Sequence, residues 1–434
     1  MLVIGGTDER ERSRSPFFRG WRVVGGAFIV LMVGFGAIYA YAAFSEVLRT
    51  EFGASRTAVS MIFALSSFTC FGMSAISGPL ADRIGPRILG VIGMAAVGVG
   101  LAATGWARSL VEICAIHALL IGAGVGCAYV PAIAAVQRWF VRRRGLASGI
   151  AACGIGLGTL VVPPAAEQLI DAAGWRGAFG MLGLIAAVLG IGGALLLDAA
   201  PERHGLHPDG DASPSPRAGG RPVADASVAE VLRTRDFWRL YAGAFLVSIT
   251  MALPFAHLVA FGLDLGLSRN EAVSLICLIG LGSLAGRFGF GALADAVGRH
   301  ATFTLCCAGL AATSVLWWAA TGLATLSVFA LAFGALNGGF VALLPAFLAD
   351  RFGARSASGI IGLLYTGRGL ATLIGPALAG AAFDGLGGYA VAILASGGLC
   401  AAGAIVVAGI GSPRRVRLRR SEAATVTYRA RFIF

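Results

Sequence analysis

The chain of 434 residues is 57% hydrophobic and only 13% charged, with a mean hydropathy of +0.82, and this composition excludes an ordinary soluble domain. The formal net charge of +12 would suit a nucleic-acid partner, but the positions of the basic residues indicate membrane topology, and no nucleic acid is predicted. Apolar stretches of about 20 residues recur along the chain, whereas barrel strands would alternate over about ten residues. The sequence therefore predicts an all-α integral membrane protein.

Twelve membrane-spanning helices are predicted, in two groups of six. They lie at residues 23–46, 57–80, 88–106, 110–136, 146–170, 177–198, 239–262, 271–294, 301–320, 325–349, 357–383 and 389–411. The corresponding division of the chain is an N-terminal arm (1–19), a first bundle (20–198), a flexible Pro-rich linker (199–238), a second bundle (239–411) and a basic tail (412–434).

The basic residues predict the orientation of the helices. All 34 are arginines; with the N-terminus in the cytoplasm, 27 face the cytoplasm, 5 face the opposite side and 2 lie within spans. This asymmetry follows the positive-inside rule, so both termini are predicted to be cytoplasmic, in a multi-pass protein of the inner (plasma) membrane. The eight cysteines lie in apolar spans at no ligand-like spacing, so no metal and no other cofactor is predicted.

Two short motifs occur twice in the chain. The pattern G-x-L-A-D-x-[IV]-G follows the second span, with Asp82, and the eighth span, with Asp295, at an offset of 213 residues. Ala-Ser-Gly-Ile opens both the fifth and the eleventh span, and the repeats predict two similar halves. The first copy, G-x-L-A-D-R-x-G-x-R, resembles the loop signature of the major facilitator superfamily. That resemblance implies a fold of twelve helices in two pseudo-symmetric six-helix bundles.

The charged residues of the two motif copies are candidates for a gate. Ion pairs and charges at helix ends can be broken and remade as two bundles rock, while a purely structural turn is the alternative. Ala296 replaces the arginine of the first copy, which predicts a weaker latch there. The candidate gating residues are Asp82, Arg83, Arg87, Asp295 and Arg299.

A second resemblance involves the fourth and fifth spans. The run from Arg138 to Gly154, RWFVRRRGLASGIAACG, is similar to the aromatic, basic and Leu-Ala-x-Gly pattern of the monocarboxylate transporters and the related oxalate/formate antiporters. Gly20-Trp21 and the Glu-Phe-Gly-x-Ser run at Glu51 to Ser55 fit the same group. The resemblance implies a small carboxylate as substrate.

Arg287 is the principal candidate for binding that substrate. It is the one charge in an apolar stretch from Ala272 to Ala294, where a charged side chain is costly. A guanidinium can bind a carboxylate through two parallel hydrogen bonds, although snorkelling toward the cytoplasm is the alternative. The resemblance implies that an arginine of the eighth span holds the carboxylate. Ser283, one turn earlier on the same face, could donate a hydrogen bond but could not carry a proton.

Further candidates lie in other spans. Arg368 lies near the midplane of the eleventh span and could provide a second cation, unless it only bonds helix carbonyls. His257 follows Pro254 and could take up a coupling proton, unless it is merely hydrogen-bonded. Polar groups that could meet substrate oxygens, with helix packing as their alternative role, are Tyr129, Asn337 and Tyr365.

Together these observations predict a secondary transporter of small carboxylates that works by alternating access. Proton-coupled symport of a monocarboxylate such as lactate or pyruvate is favoured, and exchange of carboxylates is the alternative. The partners are then the carboxylate, protons or a counter-transported carboxylate, and the bilayer. A membrane enzyme is disfavoured because no nucleophile, metal or carboxylate-pair motif occurs, and a transporter-like sensor because no signalling domain is attached.

Overall fold

A computed structural model describes residues 18–140, 144–210, 228–352 and 357–410. The membrane helices, in chain order, are α1 (Gly20–Tyr39, continued after Ala40 as Tyr41–Phe52), α2 (Arg56–Ile84), α3 (Pro86–Thr104), α4 (Leu110–Ile116, a π-helical turn His117–Gly122, then Ala123–Trp139), α5 and α6 (within Arg144–Leu195), α7 (Arg235–Asp264), α8 (Arg269–Val297), α9 (Arg299–Trp318), α10 (Leu323–Phe352), α11 (Ala357–Leu386) and α12 (Ala390–Ala408). In the linker, the described residues include short helical segments at Pro201–His204, Pro208–Gly210 and Val228–Leu232.

The number of spans agrees with the sequence. Eleven helical stretches of the described chain are long and apolar enough to cross a membrane. The longest, Leu146–Leu195, is broken at Gly174, whose φ of 68° and ψ of 167° are non-helical. Glycine adopts a positive φ without strain, so Gly174 can end one helix and let the chain turn into the next. The two helices are α5 (144–173) and α6 (175–195). The prediction of twelve membrane helices is therefore confirmed.

The repeated motif forms the same local structure in both halves. Gly85 ends α2 with a φ of 92°, and Gly298 ends α8 with a φ of 98°. Both amides bond the carbonyl four residues earlier, at 2.9 and 3.0 Å respectively. At the other ends of the same helices, Ser55 and Ser268 are N-caps whose side chains accept from the backbone. The sequence repeat thus corresponds to a structural repeat, and the two six-helix bundles are pseudo-symmetric.

Glycines allow the helices of each bundle to pack with their backbones in contact. A Cβ atom built on Gly286 of α8 would lie 1.9 Å from the carbonyl oxygen of Ala335 on α10. A Cβ on Gly338 of α10 would lie 2.3 Å from the Ser283 carbonyl oxygen. Small residues are typical of such close contacts between membrane helices. These contacts fix the position of α8, which carries Arg287.

Two helix pairs provide most of the interface between the bundles: α2 packs along α11, and α5 along α8. A Cβ on Gly380 of α11 would lie 2.7 Å from the Cα of Thr57, and one on Gly280 of α8 would lie 2.7 Å from the Leu160 amide nitrogen. The outer end of the molecule is defined here as the end that carries Arg56 and Arg269, which the positive-inside rule predicts to face away from the cytoplasm. The opposite end is the inner end.

The contact of α8 with α10 predicts a position-specific effect on stability. In Gly286→Ala the added methyl group collides with backbone, and overpacking of this kind costs about 1–3 kcal/mol. We expect a lower melting temperature of the detergent-purified protein. Gly289→Ala is the control, because Gly289 lies on the same helix with no atom within 4 Å of its Cβ position. Equal melting temperatures for the two variants would contradict the packing described.

Candidate functional site

Arg287 of α8 lies at the interface between the bundles. The residue is 6% exposed, and its Nε and Nη1 atoms have no hydrogen-bond partner among the described residues. Its electrostatic neighbours include Tyr39 and Tyr129 of the first bundle and Tyr365 of the second. A positive charge thus faces the centre of the molecule with unused donors, as a site for an anion requires.

Arg368 of α11 faces the same central region. Its guanidinium lies 5.0 Å from the ring centroid of Phe71 on α2, a cation–π distance, and its Nε has no partner among the described residues. Tyr39 and Tyr129 are electrostatic neighbours of Arg368 as well as of Arg287. The two arginines predicted from the sequence are therefore brought to one region between the bundles.

Tyr129 of α4 and Tyr365 of α11 meet across the bundle interface. Their hydroxyl oxygens are 2.9 Å apart, and their rings are stacked with centroids separated by 5.8 Å. Both side chains are buried. The structure therefore brings these two predicted residues together, but in this conformation each hydroxyl is bonded to the other. They would have to separate before both could meet a substrate.

A small cavity lies next to Arg368. Its volume is about 20 Å³, and its lining includes Ser67, Thr372 and several aromatic rings. On the outer side, Tyr39 of α1 stacks on Phe255 of α7 with ring centroids 4.3 Å apart. A cavity of this size holds about one water molecule. In this conformation the cavity is therefore too small for an organic molecule.

The remaining predicted binding residues lie on adjacent helices. Ser283 is 5% exposed and lies one turn outward from Arg287 on α8. Asn337 of α10 is 6% exposed, and its Oδ1 has no hydrogen-bond partner within the described chain. An unpartnered buried amide oxygen is costly, so Asn337 stays a candidate for binding a polar group.

The outer end is closed by hydrogen bonds from the first bundle to the second. The Arg56 guanidinium donates to both carboxylate oxygens of Asp264, at 2.7 and 2.5 Å, and to the Tyr389 hydroxyl at 3.0 Å. Asp384 of α11 accepts from the Thr57 amide at 3.1 Å and from the Thr57 hydroxyl at 2.5 Å. A carboxylate at the N-terminus of α2 also favours that helix electrostatically. These bonds must break for the outer end to open.

His257 belongs to this outer network. Its Nε2 lies 2.9 Å from the carbonyl oxygen of Pro376, and its Nδ1 lies 3.2 Å from the Tyr389 hydroxyl. Because a carbonyl can only accept, Nε2 carries the proton and Nδ1 of the neutral ring accepts from Tyr389. Both ring nitrogens are thus bonded, and the side chain is 2% exposed.

A second closure at the outer end joins α8 to α5. Arg269 Nε lies 2.7 Å from Glu167 Oε1, and Arg269 Nη1 lies 3.7 Å from Asp171. Arg269 also donates to the Ala43 carbonyl at 3.3 Å. Glu167 is 4% exposed, whereas the Arg269 side chain is 30% exposed, so this ion pair between the bundles is buried on its acidic side.

Sequence reasoning did not identify these closing residues, although the repeat carries their signal. Ser55-Arg56 and Ser268-Arg269 begin the second helix of each half and are separated by 213 residues, the same offset as the loop motif. Each arginine pairs with acidic residues of the opposite bundle. The pseudo-symmetry of the halves therefore extends to the outer closure.

The candidate gating residues lie at the inner end. Arg87 donates to the Leu197 carbonyl at 2.9 Å and lies 3.9 Å from Asp198, both in its own bundle. Arg83 and Arg299 are exposed. The side chains of Asp82 and Asp295 lie outside the described part of the structure, as do residues 141–143 of the basic loop. The gating role of these residues stays a prediction.

The ion pair between Arg269 and Glu167 allows a test of whether it holds the outer end closed. In Glu167→Gln the charge is lost while the shape is kept, and removing one partner of a buried pair is costly. We expect Cys introduced by Ser60→Cys, at a buried position facing Pro376, to react with a polar maleimide about tenfold faster in detergent-purified Glu167→Gln than in the parent.

Asp171→Asn is the matched control for this experiment. Asp171 has a side chain that is 63% exposed and lies farther from Arg269, so its neutralisation should change the labelling rate little. Protein that retains its native cysteines but lacks the introduced one gives the background. An unchanged rate in Glu167→Gln would show that this pair does not hold the outer end closed.

Comparison with known proteins agrees with the fold. A family model described as Major Facilitator Superfamily matches residues 26–323 and 258–432. Monocarboxylate transporter 12-B of Danio rerio is 28% identical over 410 residues, which cover 87% of this chain and 84% of that protein. Monocarboxylate transporter 11 of Homo sapiens is 29% identical over 409 residues, covering 91% and 83%.

A third relative bears a name of another kind. The aspyridones efflux protein apdF of Emericella nidulans is 25% identical over 429 residues, covering 95% of this chain and 83% of that protein. The predicted resemblance to the monocarboxylate transporter group is confirmed by the first two relatives, and all three names describe transport or efflux rather than catalysis. The chain therefore belongs to the Major Facilitator Superfamily, as a multi-pass membrane transporter.

Proposed function

We propose that the protein is a secondary active transporter of small carboxylates that works by alternating access. The observation that carries the proposal is the buried guanidinium of Arg287, which faces the bundle interface with two nitrogen atoms lacking a partner among the described residues. A guanidinium matches the geometry of a carboxylate, and such pairs are strong away from water. Arg368 adds a second positive charge in the same region.

The names of the relatives support transport more strongly than they support a particular substrate. Two are named monocarboxylate transporters, whereas a third is named for the efflux of aspyridones. Members of one fold often carry different substrates, so the site has to carry the argument. A small central space, the buried Arg287 and the partly buried Arg368 favour a compact anion.

The closed outer end supports alternating access. The pairs Arg56–Asp264 and Arg269–Glu167 join the bundles there, whereas Arg87–Asp198 and Arg351–Asp236, near the inner end, each join residues of one bundle. In our proposal the bundles rock about the central arginines, breaking the outer bonds in one state and rebuilding them in the other. The inner motif residues Asp82, Arg83, Arg87, Asp295 and Arg299 then act as the opposite gate.

Proton-coupled symport of a monocarboxylate such as lactate or pyruvate is our first proposal for the mode of transport, with His257 as the coupling group. Protonation of its Nδ1 would remove the acceptor for the Tyr389 hydroxyl and so change the outer network. Ser283 cannot carry a proton between carboxylates. Exchange of carboxylates is the second proposal, favoured by the two central cations. We place the protein in the inner (plasma) membrane with cytoplasmic termini, because arginines concentrate on that side.

The role of Arg287 can be tested in proteoliposomes. We expect Arg287→Gln to reduce uptake of labelled lactate by about 30-fold or more, because loss of one partner from a buried, hydrogen-bonded charge pair costs roughly 2–5 kcal/mol. Arg287→Lys should recover little of the loss, since an ammonium lacks the two-pronged geometry. Arg108→Gln, at an exposed position of the outer end, is the control.

The same vesicles distinguish symport from exchange. Uptake into empty vesicles that rises with an inward proton gradient supports symport, and uptake only into vesicles preloaded with carboxylate supports exchange. Full activity of Arg287→Gln would contradict the proposed binding role. Absence of carboxylate uptake by the wild-type protein under every condition would overturn the proposed substrate class.

A separate prediction concerns His257. If this residue takes up the coupling proton, His257→Gln should lose the stimulation of uptake by a proton gradient while it retains exchange into preloaded vesicles, because the glutamine cannot titrate. His117→Gln is the matched control, as His117 is also 2% exposed but packs against Phe179 within the first bundle. Stimulation that persists in His257→Gln would assign the proton to another group.

A further inference from the structure

Asn337 is a buried polar residue whose role the helix packing alone does not explain. Its neighbours Gly334 and Gly338 face α8, where Cβ atoms on them would lie 2.3 Å from the carbonyl oxygens of Ile279 and Ser283. Leu336 and Gly339 face α9: Leu336 contacts Gly309, and a Cβ on Gly339 would lie 2.9 Å from the Cys306 sulfur. These contacts leave a third face of α10 for Asn337.

That third face is directed to the centre of the molecule. Phe333, four residues before Asn337 and therefore on the same side of the helix, packs against Phe255 of α7 with ring centroids 6.1 Å apart. Phe255 in turn stacks on Tyr39 of the first bundle. Asn337 thus lies one turn inward from a ring that contacts the wall of the central region.

Asn337 lies at the membrane depth of Ser283, one turn outward from Arg287. The contact between Gly338 and the Ser283 carbonyl sets this level. Side chains on a helix lean toward its N-terminus, and the N-terminus of α8 is at the outer end. The Arg287 side chain therefore leans toward the level of Asn337.

The amide of Asn337 has the chemistry of a second subsite. Its Oδ1 is buried without a partner among the described residues, and an amide can both accept and donate a hydrogen bond. A hydroxyl group could donate to it, and a keto oxygen could accept from it. An unsubstituted alkyl chain would leave the amide unbonded, which is unfavourable in a buried site.

We propose that Asn337 binds the oxygen on carbon 2 of the substrate while Arg287 binds the carboxylate, so that the site selects short 2-hydroxy or 2-oxo acids over unsubstituted acids. This inference rests on the proposed function. It adds a specificity-determining residue to the carboxylate site and states which feature of the substrate is recognised.

Binding to the detergent-purified protein tests the assignment without dependence on coupling. Dissociation constants are measured by titration calorimetry for lactate, pyruvate and propionate, which share a three-carbon acid and differ at carbon 2. In the wild-type protein we expect lactate and pyruvate to bind about five- to tenfold more tightly than propionate. In Asn337→Leu, which nearly keeps the volume, that preference should disappear while propionate binds at least as tightly as to the wild-type protein, because no amide is left unbonded.

Two further variants keep the test decisive. Thr313→Val removes a buried hydroxyl of α9 that is not among the residues lining the central cavity and is bonded to the Leu310 carbonyl of its own helix at 2.7 Å, so the preference should persist there. If Asn337→Leu does not fold, Asn337→Ser replaces it, and its shorter side chain should also reduce the preference.

The outcomes separate this inference from the proposed function. A wild-type protein that binds all three acids equally, or an Asn337 variant that weakens all three equally, would overturn the role of Asn337 and leave the carboxylate site intact. A wild-type protein that binds none of the three would overturn the proposed substrate class itself.

Discussion

The central constraint on this structure is positive charge held inside an apolar environment. Arg287 has donor atoms without partners among the described residues, and Arg368 has one as well. Burying a charge without compensation is unfavourable, and inside a membrane the cost is larger than at a protein surface. The anion that we propose for the centre would offset this cost. Aromatic rings and tyrosine hydroxyls surround the space that it would occupy.

A single helix connects this charge to the outer closure. Arg269 stands at the start of α8 and Arg287 lies 18 residues later in the same proline-free helix, a distance of about 27 Å at 1.5 Å per residue. Close backbone contacts at Gly282 and Gly286 attach α8 to α10. Movement of this unit away from α5 would separate Arg269 from Glu167 and would shift Arg287 at the same time. The outer ion pair and the central arginine are thus linked through one helix.

The pseudo-symmetry of the two halves explains why the closure consists of two parts. Arg56 begins α2 and pairs with Asp264 of the second bundle, while Arg269 begins α8 and pairs with Glu167 of the first. Each pair places an arginine at a helix start opposite carboxylates of the other bundle. The carboxylate of Glu167 is buried, so its pair with Arg269 is the costlier one to break singly, whereas the Asp264 side chain is 38% exposed.

Much of this organisation could be predicted from the sequence because it depends on local or periodic features. The length of the apolar stretches predicted the twelve spans, and the distribution of arginine predicted their orientation. The repeated motifs that contain Asp82 and Asp295 indicated two similar halves. The burial of Arg287 followed from its position in an apolar stretch. These inferences need only the neighbours of a residue along the chain, together with the known thickness of a bilayer.

Other features depended on contacts between residues far apart in the chain. Glu167 lies 102 positions before Arg269, and no local pattern pairs them; only the packing of α5 on α8 does. The hydrogen bond between Tyr129 and Tyr365 and the hydrogen bonds of both ring nitrogens of His257 also join residues that only helix packing brings together. The sequence by itself determined which side chains are too polar for their surroundings. Tertiary structure decided which of them face one another, because that depends on how the helices rotate and cross.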